Sequence, residues 1–327
     1  MPRKERQRLQ YIDTAKGICM LMLIFGHVGI LPDYYVLYYF SLPVFFVLSG
    51  FFLKTGVGGW SFLKNRVNKL LVPFLFFYLV SYILFYIGMS LAPDIMSTEA
   101  RGLMDMFTQR QWFNGPIWYL LCLFWSSLWL YLICRITTRV DLQALVVLCI
   151  GSIGATMGRE YLFLPLMIDV SLSALPLLFI GYVVKRLPLM YPNKYDRYNL
   201  LVGIALLGLV LVVTWLKPYN CIGFHTNTVI GNYYWTLIIA ILASFSVMYI
   251  CKSIRQVPFL VYFGAYSIVP FSLHHLIYRP LIVAFNSVAV PYPLLCTALV
   301  TVIVSALMIP VMVKYMPWSI GLKQIIK

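Results

Sequence analysis

The sequence predicts an all-α fold: a polytopic transmembrane helical bundle of about ten spans, with the N- and C-termini in the cytoplasm. Three observations predict it. Hydrophobic types make up 62% of the 327 residues and charged types 11%, against about 25% charged in a soluble domain. The apolar residues fall in runs of roughly 15 to 27, close to the ~17–25 that a helix needs to cross the hydrocarbon of a bilayer. The basic residues collect in short connections between those runs, as membrane orientation requires.

Taken in order, the candidate spans run roughly 14–32, 34–53, 70–92, 115–134, 142–158, 170–184, 199–216, 233–251, 259–285 and 294–313. The first follows a basic stretch, PRKERQRLQ, but no small-residue cleavage site follows its apolar run, so it is read as a retained helix. The sixth is short. The ninth is long and holds Pro270 and Pro280, where a tilt or kink is expected. Pro291 and Pro293 mark the turn into the tenth. With residues 1–13 as a basic cytoplasmic tail and 314–327 as a second tail, the chain reads as one membrane domain, 1–327, without an attached soluble catalytic domain.

The formal charge of +15 does not point to nucleic acid, because its distribution is topological. With the N-terminus inside, twenty of the 25 Lys and Arg residues face the cytoplasm. Five lie on outer loops or outer span ends: Arg101, Arg110, Arg159, Lys217 and Arg279. That asymmetry supports an even number of spans in the inner (cytoplasmic) membrane. Trp112, Trp215 and Trp235 fall near the outer boundary and Trp60 and Trp318 near the inner one, as interfacial anchors would. The seven cysteines lie mostly in or at the ends of apolar runs and form no CxxC pair. Core packing is their expected role, and neither a disulfide framework nor a bound metal is expected.

Ionisable groups in hydrocarbon are costly and mark function by default. No carboxylate falls mid-span, which argues against a proton-coupled transporter with an acidic relay. The mid-span ionisable residues are His27, His274 and His275, with Arg279 close to an outer end. Lys16 and His27 stand eleven residues apart, close to a whole number of helical turns, so they share a face about 16 Å apart along the axis. Asp13 shares that face. Two readings stand for each: an interfacial ion pair or a site for Asp13 and Lys16, and a bundle hydrogen bond or catalysis for His27.

The residues Asp13-Thr-Ala-Lys16-Gly17 followed by His27 resemble the first span of the membrane acyltransferase-3 family, with lysine in place of the usual arginine. FSLPVFFVLSGFF at 40–52 resembles that family's second span. Arg66-Val-Asn-Lys69 before Pro73 resembles its Arg-x-x-Arg loop, again with one lysine. Gly115-Pro-Ile-Trp118-Tyr119-Leu resembles the opening of its fourth span, and the stretch from Tyr266 to His274-His275 resembles its late Ser-x-x-x-Tyr-Leu-x-His stretch. The family's members transfer acyl groups, often acetyl, to glycan hydroxyls, and the resemblance implies acyl-coenzyme A as donor and the histidine as the catalytic group.

On that implication, His27 is the general base, and a covalent acyl-histidine is a second route. Lys16, Arg66 and Lys69 are candidates for the donor phosphates, against a plainer role in attracting anionic membrane lipids. A lysine lacks the bidentate fork of arginine, so no guanidinium geometry carries over. Trp118, Tyr119, His274 and Arg279 are candidates for the glycan acceptor. Aromatic-belt and interfacial roles are the alternatives for Trp118, Tyr119 and Arg279. Adjacent helical positions diverge by about 100°, so one of His274 and His275 is expected to be structural. Tyr119, His274 or Ser272 can orient His27. Asp13 cannot, being about 21 Å away along the helix; it supports Lys16 instead. The competing functions are a transporter or flippase for a glycan or anionic solute, and a structural partner in polysaccharide export.

Overall fold

The computed structural model describes residues 9–31, 39–91, 102–108, 112–191, 196–216, 221–254 and 257–326. The basic tail at 1–8, the start of the second expected span, and Arg101, Arg110, Lys217 and Arg255 lie outside the described residues.

Among the described residues, eleven helices of eight residues or more organise the chain: α1 Gln10–Val28, α2 Leu42–Phe51, α3 Gly59–Leu91, α4 Trp118–Ile136, α5 Val140–Arg159, α6 Ile168–Val184, α7 Asn199–Leu216, α8 Tyr233–Ser253, α9 Pro258–Ala265, α10 Ile268–Ser287 and α11 Pro293–Tyr315. Between α7 and α8 a small antiparallel hairpin pairs β1, Cys221–Gly223, with β2, Thr228–Ile230, in the register Ile222 to Val229. Among the described residues nine helices are long and apolar enough to cross a membrane, and α2 is a shorter apolar one. The chain is a multi-pass membrane protein. Helices α1, α4 and α6 are the most enclosed; α5, α7, α10 and α11 show more surface to the surroundings.

Several details differ from the sequence expectation. Helix α1 begins at Gln10 and takes in Asp13, a position expected to end a tail. Helix α3 begins at Gly59 rather than near 70, so Arg66 and Lys69 sit on a helix rather than in a loop. A π turn at Val67–Leu71 interrupts it, and such single-turn insertions are frequent at functional sites. The ninth span breaks at Tyr266 and Ser267, between α9 and α10, and not at either proline. Pro270 falls at the third position of α10, where its missing N–H has no intrahelical partner to lose. Trp112 is no lipid anchor: it is buried between Phe74 and Tyr78, and its indole N–H donates to the Asp105 carbonyl at 3.2 Å. Trp60 and Trp215 are well exposed, as anchors are.

Two helix pairs pack backbone against backbone. Gly50 of α2 and Gly181 of α6 face each other's chains: a Cβ at Gly181 would collide with the Val47 carbonyl, and one at Gly50 with the Leu178 carbonyl. Gly17 of α1 and Gly264 of α9 do the same, against the Leu260 and Asp13 carbonyls. Small residues allow this approach where lipid offers no hydrophobic drive to associate. The second pair fixes α1 at the turn that carries Asp13 and Lys16.

Candidate active site

His27 sits in the last turn of α1. Gly29 ends that helix in the left-handed conformation at φ 88°, donating back to the Gly26 carbonyl while Ile30 reaches Phe25; this closing motif suits glycine. The break between α9 and α10 lets α10 bring His274 and His275 to the same place. Both rings reach His27, with centroids 5.3 Å and 4.8 Å away, and lie 5.1 Å from each other. The expected divergence of neighbouring helical positions is real, but a ring wedged between two such side chains meets both.

His274 is fully buried, and its Nδ1 lies 2.9 Å from the Pro270 carbonyl. A carbonyl only accepts, so Nδ1 carries the proton and Nε2 presents a lone pair. That Nε2, and both ring nitrogens of His275, are buried with no hydrogen-bond partner. Asn114, on the approach to α4, holds this arrangement from behind. Its amide donates to the Ser272 carbonyl at 2.9 Å and to the Ser81 hydroxyl at 3.0 Å. Gly115, next in the chain, packs beside the His275 ring.

A cavity of about 180 Å³ opens beside these rings, lined on its polar side by His27, His275, Trp118, His225 and Thr226 and on its apolar side by Leu23, Leu42 and Phe271. Trp118 reaches it and Tyr119 does not. The Tyr119 ring packs against Phe46 and Phe271, and its hydroxyl pairs with Ser49 at 3.2 Å. Ser272 turns its backbone to Asn114, and its hydroxyl is buried without a partner. Arg279 lies one turn beyond His275, with Nη1 3.4 Å from the Phe113 carbonyl.

The ligand nitrogens of the three histidines lie within 4.8 Å of one another. A tetrahedral zinc with Zn–N of about 2.0–2.1 Å places its ligand nitrogens about 3.4 Å apart, so the rings would have to turn inward to share an ion.

The other end of the bundle is cationic. Arg66 is half-buried at the π turn; its Nη2 donates to Asn65 at 2.9 Å, its Nε has no partner, and its guanidinium stands over the Phe62 ring. Lys69 is surrounded by charges of its own sign, Arg66 and Lys54. Two ion pairs are Arg139 with Asp141 and Lys252 with Asp196. Lys16 places its Nζ 5.1 Å from the centre of the Phe52 ring. One residue on, the Leu53 carbonyl accepts from Lys185 at 2.6 Å, and Arg186 donates to the Tyr182 hydroxyl. Burial, helped by the neighbouring Arg186 charge, lowers the Lys185 ammonium to about 8. Lys16, Lys185 and Arg186 thus gather beside the short connection after α2, which itself carries Lys54.

Sequence reasoning missed Lys54, Lys185, Arg186, Asn114, His225 and Thr226. The lysines and arginines were visible as topology signals, and nothing in a linear chain says which inner loops adjoin. His225 is the one remaining of the chain's four histidines, and its place in a connection between spans concealed it.

Nine long apolar helices and a shorter one, with three imidazoles clustered at one end of the bundle and basic side chains gathered at the other, define a polytopic helical membrane protein. The acyltransferase domain of the acyltransferase-3 family matches residues 9–312, and the chain belongs to that family. No curated protein and no solved structure matches it.

Proposed function

We propose that this membrane acyltransferase moves an acyl group, acetyl from cytoplasmic acetyl-coenzyme A, to a hydroxyl of a cell-surface or lipid-linked glycan in the inner membrane. The observation that supports this most is the separation along one bundle of a proton-handling cluster, His27 with His274 and His275, from a cation basin with few carboxylates. Lys16, Arg66 and Lys69, joined by Lys185, bind the donor phosphates. The pantetheine arm covers the roughly 16 Å of α1 that separates Lys16 from His27.

At the reacting centre, the neutral His27 imidazole takes the proton from the glycan hydroxyl as its oxygen attacks the thioester carbonyl. A new C–O bond forms, the C–S bond breaks, and the proton passes from His27 to the departing thiolate. His274, its tautomer set by Pro270, presents Nε2 beside the His27 ring and orients it; second groups that fix an imidazole are a general need of this chemistry.

The test uses purified protein in liposomes, acetyl-coenzyme A labelled in the acetyl group, and surface polysaccharide from the source cells. Label on the polysaccharide supports the reading. Polysaccharide crossing the bilayer unmodified supports a flippase instead. Transfer that persists in a metal chelator assigns the histidine cluster to proton chemistry alone.

Two further outcomes concern the donor end. Lys16→Glu is expected to raise the donor KM at least tenfold, whereas Lys16→Arg changes it little; an unaltered donor KM in the glutamate variant removes Lys16 from the phosphate site. Lys185 loses its charge as pH rises through about 8, while the donor phosphates, with a second pKa near ~6, stay ionised. Donor KM is therefore expected to climb between pH 7 and 9. In Lys185→Arg, which stays charged, that climb flattens. A wild-type KM that is level across this range takes Lys185 out of the donor site.

A further inference from the structure

A connection between two antiparallel helices needs only a few residues, yet the hairpin between α7 and α8 is pinned to the bundle. Asn227 is fully buried at a left-handed φ of 52°. Its amide nitrogen donates to the Gly154 carbonyl at 3.0 Å and to an Asp169 carboxylate oxygen at 3.3 Å, and its amide oxygen accepts from the Ser173 hydroxyl at 2.7 Å. Gly158 leaves room for the Asn227 carbonyl against α5. Phe224, at the other end of the same turn, is buried against Phe46 of α2. A three-residue turn clamped at both ends has little freedom left.

What the clamp holds in place is His225 and Thr226, and both line the cavity shared with His27 and His275. The His225 ring lies 5.9 Å from the Trp118 ring, tilted 37° to it. The Thr226 hydroxyl pairs with that of Thr228 at 2.8 Å. The cavity, about 180 Å³, equals about six waters at ~30 Å³ each. That is space for one sugar ring and falls short of the ~300 Å³ at which drug-sized sites begin. Chain direction puts the hairpin at the bundle end where α1 delivers His27, opposite the Arg66 turn.

We propose that this hairpin is the acceptor subsite of the transfer reaction, a reading that rests on the acyl-transfer function above. His225 and Thr226 hydrogen-bond the hydroxyls of a single sugar residue and so choose which hydroxyl faces His27. Trp118 forms the apolar wall beside them, and Asn227 is a positioning residue. An imidazole and a hydroxyl can each donate or accept, which suits a ring bearing hydroxyls of fixed geometry. A site that hydrogen-bonds a hydroxyl discriminates far more sharply than an apolar pocket does.

The two halves of the reaction allow a clean test in proteoliposomes. Coenzyme A released into water, with no glycan present, reports the donor side. Label transferred to surface polysaccharide from the source cells reports the acceptor side. His225→Ala and Thr226→Val are expected to raise the polysaccharide concentration for half-maximal labelling roughly tenfold, while the donor KM for coenzyme A release stays as in the wild type. His225→Gln, which keeps a hydrogen-bonding group, recovers part of the loss. Asn227→Ala gives the same acceptor defect together with lower thermal stability, which His225→Ala does not share. An unchanged half-saturation for polysaccharide in both cavity variants overturns the proposal, and so does a defect confined to the donor KM. A wild-type protein that neither releases coenzyme A nor labels polysaccharide overturns the acyl-transfer reading itself, and the acceptor subsite falls with it.

Discussion

His27→Ala is expected to lower acyl transfer to the glycan by about 10²- to 10⁴-fold, the usual contribution of a positioned general base. The loss should appear in kcat, because the donor site proposed at Lys16 lies some 16 Å away along α1 and does not include the imidazole. Labelled donor should therefore bind the variant as it binds the wild type, which also shows that the protein is folded. The neighbouring histidines do not rescue it. His274 has committed Nδ1–H to the Pro270 carbonyl, and it does not line the cavity. If the variant keeps more than a tenth of wild-type kcat, His27 is not the base, and His275, which also lines the cavity, becomes the group to replace next. A radiolabelled acyl adduct that appears on quenching the wild type, and is missing from the variant, would identify the covalent route rather than direct attack.

The second large effect is structural. Gly264→Val is expected to abolish the folded protein, or to leave a species that melts far below the wild type and binds no donor. A Cβ at this position collides with the Asp13 carbonyl and crowds the Gly17 amide. Both are backbone atoms of a buried helix, so no rotamer change relieves the clash. Overpacking of a well-packed site typically costs about 1–3 kcal/mol and more where the backbone must move. Here α1 would have to part from α9, taking Lys16 and the base of the His27 helix with it. Gly208, which faces open space on α7, is the control: Gly208→Val should be tolerated. Equal melting temperatures for the two variants would show that the α1–α9 contact does not set the stability of the bundle.

The spans were legible because burial in lipid demands unbroken apolar runs, and that demand is local. Where helices ended was less legible wherever polar residues continue a helix. Trp60 to Arg66 reads as a loop by hydropathy, yet it forms the first turns of α3, with Phe62 as its buried residue. The break ahead of α10 carries no proline; it was placed on Pro270 and Pro280 because proline is the visible breaker. The site was legible one residue at a time. His27, Lys16, Arg66 and Lys69 declare themselves by being polar in or beside apolar helices. That His274 and His275 both reach His27 depends on how α1 and α10 meet, which no spacing within one helix encodes. Trp118 faces the cavity and Tyr119 the aromatic packing of α2 and α10 for the same geometric reason that separates neighbouring helical positions. His225 was invisible because its clamp, Asn227 on Gly154 and Ser173, joins positions more than fifty residues apart.

Asn68, inside the π turn, ties that turn to the segment after α11. Its side-chain oxygen accepts from the amides of Ile325 and Ile326, at 2.8 and 3.0 Å, and its nitrogen donates to the Ile326 carbonyl at 3.0 Å. The consequence is temporal. As the polypeptide emerges, α3 is inserted long before residues 325 and 326 exist, so Arg66 and Lys69 wait on an unlatched turn through most of biogenesis. The Arg66 end of the bundle reaches its final shape only when α11 and the segment after it are in place.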